Sequence, residues 1–498
     1  MEPDDGEAVV RRRLLAVPLA GALLAAGAGV VVAAGTFGVG PLPHAWSGVS
    51  SPSSSPSSSP SSSPSASPGA TTTSSSAAAV PVLRPLDPKA PSPSAASLAR
   101  RLDRVLRRPV LGRPRGTGVG AVVVDSATGR VLYDRNGTAG TTPASLSKLL
   151  TGAAVLVHRD PAERLRTRVV VGRRPGELVL VGAGDATLAS TRRPRDGYPP
   201  QADLATLAQR TALAVRGRRG PLRVSVDDSL FGAERVSRAW RSTYVSGGVV
   251  APVSALSVDQ GRVRPGFSAR VRDPAIEAGR RLRALLEARG VRVRDKVVRV
   301  RRALPQQAPE LAAVESAPLS VQVEMMLRTS DNDLAEALWR LAAVGAGRPP
   351  TFAGGSAAAR AALAELHVSA SGARPVDGSG LSRSSRVPPR VLAQLLRTAG
   401  TEDAAQLRPL LSGLPAAGFE GTLAQRFTLS PASSAVGEVR AKTGTLTGVS
   451  GLAGVALTDD GRLLVLVLMA DRIRPQDTLD ARAALDAGAA ALAECGCR

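Results

Sequence analysis

From Ser51 to Ser76 the chain reads SPSSSPSSSPSSSPSASPGATTTSSS, and no packed core can be built from that stretch. Its side chains bury too little apolar surface to offset the entropy lost on ordering the backbone. The Pro- and Ser-rich character continues to about residue 95, so the folded part has to begin after it. Before it, RRR (11–13) precedes 27 residues, Leu14–Gly40, with no charge. That run exceeds the ~20 residues a membrane-spanning helix needs. The expected organisation is a cytoplasmic tail (1–10), a transmembrane anchor or signal segment (11–40) and a disordered linker (41–95). Arginines on the leading side put the N-terminus inside and the rest outside. The expected location is therefore extracytoplasmic: membrane-anchored through residues 14–40, or secreted if that segment is cleaved, for which VVAAG (31–35) is a candidate site.

The formal net charge of +23 raises nucleic acid as a partner. The arginines are scattered, aromatics make up 2% of the chain, and no recognition-module signature or P-loop occurs, so nucleic acid is not expected. Anionic lipid or anionic wall polymers remain candidate partners for the charge. His44, His158 and His367 stand far apart with no HExxH, and Cys495 and Cys497 are too few to make a structural zinc site. No metal and no cofactor is expected.

Beyond the tract, apolar spacing in 95–107 predicts a helix, 118–137 a β-hairpin and 145–158 a helix. Residues 168–182 read as a second hairpin, 222–231 and 291–302 as strands, and 203–216 and 274–289 as helices. From near Glu315 the pattern turns helical, 321–344 included. Three strands (437–443, 448–457, 462–470) and a helix (477–494) close the chain. The expected fold is α/β (α+β): a five-stranded sheet flanked by helices, its first two strands from 118–134 and its last three from 437–470. The expected catalytic domain is 96–166 with 313–498, and 167–312 is an inserted β-rich unit.

Sixty arginines stand against four lysines, Lys89, Lys148, Lys296 and Lys442, so a lysine in this chain asks for a reason. In PASLSKLLTG (143–152), Ser145 falls at a helix start and Lys148 lies nearly one turn on, on the same face. A serine hydroxyl is a poor nucleophile until a base takes its proton. A lysine whose pKa is lowered by burial or a neighbouring cation can do so, whereas arginine stays protonated. Alone, SxxK is commonplace. It is followed by SDN (330–332) and KTGT (442–445), and the three motifs together carry the signal. Lys442 and Thr443 could hold a substrate carboxylate, with Gly444 in the same edge strand for a peptide to pair against. The Thr445 and Ser145 amides could form an oxyanion hole. Ser330 would shuttle a proton and Asn332 touch substrate, the two bridging the lysines. Asp377, Gly378 and Ser379 of DGSG (377–380) form a tight loop that either lines the cleft or is a structural turn.

With these motifs the chain resembles the class C, low-molecular-mass penicillin-binding proteins, the D-alanyl-D-alanine carboxypeptidase/endopeptidases of the penicillin-binding protein 4 type. LVGAGDATL (180–188), VDDSLF (226–231), APVSALSVDQ (251–260), GTLAQRF (421–427) and AKTGTLTGVSGLAG (441–454) match in order, across about residues 97–495. The resemblance implies a β-lactamase/transpeptidase-like core and a serine acyl-transfer cycle on peptidoglycan stem peptides. Ser145 would be nucleophile, Lys148 base and Ser330 proton relay, with β-lactams as inhibitors. The competing readings are an inert wall-binding scaffold and a β-lactamase or esterase on the same core. The 182-residue gap from Lys148 to Ser330 argues against a simple β-lactamase. One departure stands out: relatives often carry an acid just after a tryptophan ahead of the APVSAL-like segment, associated with holding a diaminopimelate amine. Here Arg241 and Ser242 follow Trp240.

Overall fold

The computed structural model describes residues 89–112, 118–194 and 198–496. The apolar run and the Ser/Pro tract, with the tail, anchor and linker read from them, lie outside the described residues. Among the described residues, no helix is long and apolar enough to cross a membrane.

The first sheet takes strands from both ends of the chain. β1 (Val119–Asp125) and β2 (Val131–Arg135) come early; β8 (Val439–Leu446), β9 (Val449–Leu457) and β10 (Leu463–Ala470) come late. Their order is β2-β1-β10-β9-β8, antiparallel throughout. Because strand side chains alternate between faces, one strand feeds two cores. Val122 and Val124 of β1, with Val465, Val467 and Met469 of β10, enter one core. Ala121 and Val123, with Leu464, Leu466 and Leu468, enter the other. The second core is closed by α1 (Ala95–Leu106) packed on α11 (Thr478–Ala493), so the first and last helices lie on one face. The first core is closed by α2 (Ser147–His158) and by helices from between the motifs, all described below. With both faces covered, β1 is buried along its whole length, which is why it reads as a continuous apolar run.

The second sheet has order β6-β5-β4-β3-β7. β3 (Arg164–Val171) pairs antiparallel with β4 (Glu177–Val181), whereas β4, β5 (Arg223–Asp227) and the two-residue β6 (Val298–Arg299) run parallel. Parallel neighbours need crossover helices. α3 (Leu204–Ala214) and, after the short α4 (Thr243–Ser246), α5 (Pro274–Glu287) provide them, capped by Asp203 and Asp273. Their apolar faces cover Leu178, Leu180, Val224 and Val226. The middle of the chain is thus a five-stranded mixed sheet under two helices.

Two expected elements differ. The Val/Arg alternation of 291–302 predicts one long strand, yet only Val298–Arg299 and a bridge at Val293 pair. β5 is five residues long, so a continuous partner has nothing to bond to; Asp295 and Lys296 bulge out exposed between the two points. The segment around Glu315 is β7 (Glu310–Pro318), not helix. Its LAAVESAP spacing suits either period, and the unpaired edge of β3 decides it.

The helical pattern at 321–344 is two helices. α6 (Leu319–Thr329) stops at Ser330, whose backbone is left-handed (φ 59°). α7 (Asn332–Gly345) starts afresh, its cap Asp331 accepting the Leu334 N–H at 2.8 Å. Ser and Asp favour local side-chain bonding over helix continuation, which is what a break needs. α8 (Phe352–Glu365), α9 (Pro389–Ala399) and α10 (Pro409–Ser412) complete the layer over the first core.

Candidate active site

Residues Ala144–Leu146 form a single 3-10 turn leading into α2. Ala144 is left-handed (φ 47°) and fully buried. A non-glycine residue held there costs of order 1–3 kcal/mol and survives only under surrounding constraint. The constraint comes from both sides. A Cβ on Gly380 (φ 80°) would overlap the Ala144 carbonyl oxygen, and one on Gly444 would lie 2.8 Å from the Pro143 carbonyl oxygen. The turn is thus clamped between the DGSG loop and β8, with Ser145 at its half-buried tip.

Lys148 is completely buried. Its Nζ donates to Ser145 Oγ at 3.1 Å, Asn332 Oδ1 at 2.8 Å and the Ser379 carbonyl at 2.8 Å. Burial pushes its pKa down to about 8 against the pull of Asp331, Glu336, Asp377 and Asp333. Two of its three partners are carbonyl oxygens, which can only accept. When the amine is neutral, its two hydrogens stay on them and its lone pair faces the one partner that carries a proton, Ser145 Oγ.

Lys442 is also fully buried. Its Nζ donates to Ser330 Oγ at 2.9 Å and to the Thr443 carbonyl at 2.8 Å. Burial, then the positive charges of Lys148 and Arg426, hold its pKa well below the usual lysine range. The SDN residues therefore divide the lysines instead of jointly bridging them: Asn332 takes Lys148 and Ser330 takes Lys442. The left-handed break at Ser330 lets both side chains reach the site, because a continuous helix would turn them about 200° apart and aim one of them away from it. Thr443 Oγ1 bonds Thr422 Oγ1 at 2.9 Å, and Thr445 is exposed. β8 is an edge strand. Its first half is covered by backbone bonds to residues 415–417.

Asp377, Gly378 and Ser379 come to the site but lie beneath it. Asp377 and Ser379 are fully buried, and the Asp377 carboxylate is held by donors of the protein itself rather than turned to the cleft. Asp377 accepts from Trp240 Nε1 and the Ser382 N–H, each at 2.7 Å, and from the Gly380 N–H at 3.0 Å. The loop is a support that turns the Ser379 carbonyl onto Lys148. Motif reading overlooks Glu336, one turn beyond Asn332 on α7. Its fully buried carboxylate accepts the Ser379 N–H at 2.8 Å and the Gly378 N–H at 3.3 Å. Burial, reinforced by the Asp377 carboxylate, pushes Glu336 up to about 7 against these hydrogen bonds. The i, i+4 relation to Asn332 was the available signal. Among the described residues, no group of three or more His, Cys, Asp or Glu is placed to hold a metal.

A helix-start serine paired with a buried lysine, a left-handed helix break and a lysine on an edge strand, set on this layered core, define a β-lactamase/transpeptidase-like serine acyltransferase. The chain belongs to the D-Ala-D-Ala carboxypeptidase 3 (S13) family, whose model matches residues 98–268 and 264–492. It is 36% identical over 422 residues to a Mycobacterium tuberculosis carboxypeptidase, covering 83% of this chain and 87% of that one. It is 35% identical over 426 residues to carboxypeptidase DacB of Mycolicibacterium smegmatis, covering 84% and 89%. The fold matches penicillin-binding protein 4 of Haemophilus influenzae with a TM-score of 0.61 at 21% identity, over 80% of this chain and 97% of that one. A complex of that protein with a β-lactam matches with a TM-score of 0.58 at 20% identity, again over 80% and 97%.

Proposed function

We propose that this chain removes the terminal D-alanine from peptidoglycan stem peptides through an acyl-enzyme on Ser145. The observation that carries the reading is the buried Lys148 Nζ, held by Asn332 Oδ1 and the Ser379 carbonyl at 3.1 Å from Ser145 Oγ. Lys148 takes the Ser145 proton as Oγ attacks the carbonyl between the last two alanines. The Ser145 and Thr445 amides receive the oxyanion. Ser330 hands its proton to the departing D-alanine nitrogen and takes one in turn from Lys442, to which it is bonded. Water then attacks the ester, its proton passes through Ser330 back to Lys442, and Lys148 returns the proton it holds to Ser145 Oγ, which restores both lysines and the serine. The substrate lies along the second half of β8, its carboxylate at Lys442 and Thr443. A carboxylate there favours the charged form of Lys442 and raises the pKa that burial has lowered.

Penicillins acylate the same serine in this scheme and leave slowly. Crosslink cleavage would use the same serine with a different leaving amine. Arg241 and Ser242, both exposed after Trp240, supply no acid for a diaminopimelate amine. We also infer an extracytoplasmic position, anchored through residues 14–40 or released if that segment is cleaved. The leading arginines, the uncharged run after them and the Ser/Pro-rich composition of the tract that follows support it.

The test is covalent labelling of the full chain with a fluorescent penicillin, beside Ser145→Ala, followed by D-alanine release from a stem pentapeptide. Label and release in the wild type alone support the proposal. A folded wild type that takes no label would point to an inert scaffold.

A further inference from the structure

The positive charge of this chain is concentrated. Residues 164–318, which form the second sheet and its helices, hold 30 Lys and Arg against 14 Asp and Glu, or +16 of the total +23. Less than a third of the chain thus carries about two thirds of the charge. Many of these arginines are committed: Arg299 bonds Asp228 and Asp273, Arg281 bonds Asp259, and Arg166 bonds Glu310 and Glu315.

One concave surface holds arginines that are not. Where α3 and α5 end, the residues after them enclose a groove of about 370 Å³. Arg216, Arg218, Arg289 and Arg292 line it, with no Asp or Glu in its wall. All four are exposed, and Arg219 and Arg294 stand exposed beside them in sequence. Arg289 bonds only backbone carbonyls, of Leu285 and Ala205. Arg216, Arg218 and Arg292 form no side-chain hydrogen bond or ion pair among the described residues. Two other concave surfaces of this sheet are arginine-lined as well, but each includes a carboxylate, Asp203 with Glu315 in one and Glu177 in the other.

We propose that this groove binds a linear phosphodiester polymer, and so holds the enzyme on an anionic polymer of the cell envelope while the first sheet works on peptide. Several uncommitted guanidinium groups around one concavity repel each other until anions arrive between them. Their planar forks suit phosphate oxygens bidentately. A groove favours a threaded chain over a flat bilayer. Its lining offers one exposed large apolar side chain, Leu213, for insertion among lipids. Association would be steered over a distance by the field of the whole sheet and weakened by salt.

The test measures binding of the full chain, in a nonionic detergent, to a synthetic poly(glycerol phosphate) across a salt series. Wild type is compared with Arg216→Glu/Arg218→Glu/Arg292→Glu. The control is Arg101→Glu/Arg104→Glu/Arg108→Glu, which changes the net charge equally on the exposed side of α1 and its end. Penicillin labelling checks the fold of each. A misfolded groove variant is replaced by its triple Gln counterpart and read the same way. The groove variant is expected to lose about tenfold or more in affinity. Its salt slope should fall by about two, at roughly 0.7 per lost phosphate contact on a single strand. The control should stay near wild type. Equal losses in both variants would make the effect bulk charge and overturn the proposal. So would groove-dependent binding to phosphatidylglycerol vesicles with none to the polymer.

Discussion

Ser330 Oγ accepts a hydrogen bond from Lys442 Nζ at 2.9 Å, across 112 residues of sequence, only because the backbone at Ser330 leaves the helix through the left-handed region. This contact joins the helix break to the edge strand and gives the leaving-group proton a route. Ser330→Ala should lower D-alanine release by about 10²–10⁴-fold, the usual scale of a lost acid–base partner. The Ala144–Ser145 turn would stay in place. Steady-state assays on a stem pentapeptide check this, and an unchanged kcat would remove Ser330 from the relay.

Lys148, pushed down to about 8 by burial, should make acylation rise with pH through about 8 and level off above it. The linked stability has a definite sign. Between about 8 and 10.5 the unfolded chain holds a proton that the folded one has lost, so this lysine makes the fold more stable as pH rises through that window. Lys148→Arg keeps the charge, cannot deprotonate, and should abolish labelling. Stopped-flow acylation from pH 6 to 10 is the measurement. A flat profile would take the base role from Lys148.

Glu336 acts through its neighbours, as a positioning residue. Its folded pKa is raised to about 7 from an ordinary 4.5, so the folded state keeps a proton that the unfolded state gives up. Stability attributable to it should therefore fall as pH rises from about 4.5 to 7, and Glu336→Gln should remove that slope. The same variant deletes a carboxylate that raises Lys148, so the midpoint of acylation should move below 8. Glu336→Ala should cost about 1–3 kcal/mol for each buried N–H left without an acceptor. Chemical denaturation and acylation across pH test both, and recovery in the Gln variant separates positioning from bulk packing.

Gly380→Ala probes the clamp. The left-handed backbone alone should cost roughly 1–3 kcal/mol, and the added Cβ has to displace the Ala144 carbonyl. Acylation should slow more than the lost stability explains, because the shift moves Ser145 against Lys148. Normal acylation in a destabilised Gly380→Ala would show that the loop does not set the turn.

Helix–strand periodicity carried far because the first sheet is buried on both faces or alternates cleanly, so β1, β8, β9 and β10 advertise themselves. The three motifs were legible for a chemical reason: in a chain of sixty arginines, two of only four lysines, Lys148 and Lys442, fall inside them, and a lysine can lose a proton where an arginine cannot. Where the signal was ambiguous, partners decided. β7 is a strand because β3 had an open edge, and 291–302 is mostly loop because β5 is short. Asp377 and Ser379 looked like cleft residues since a Gly-rich loop can serve either purpose, and only their burial and the donors around Asp377 show which.

The amino-acid sequence by itself determined most of the elements, the crossed chain ends and the identity of the chemical groups, because these rest on local spacing and residue chemistry. Tertiary structure alone decided the pairing of Ser330 with Lys442 and of Asn332 with Lys148, and the placing of Glu336 under the Ser379 peptide. Those contacts join residues more than forty, and up to 184, positions apart. Their geometry depends on how three elements pack against one another, which no local pattern encodes.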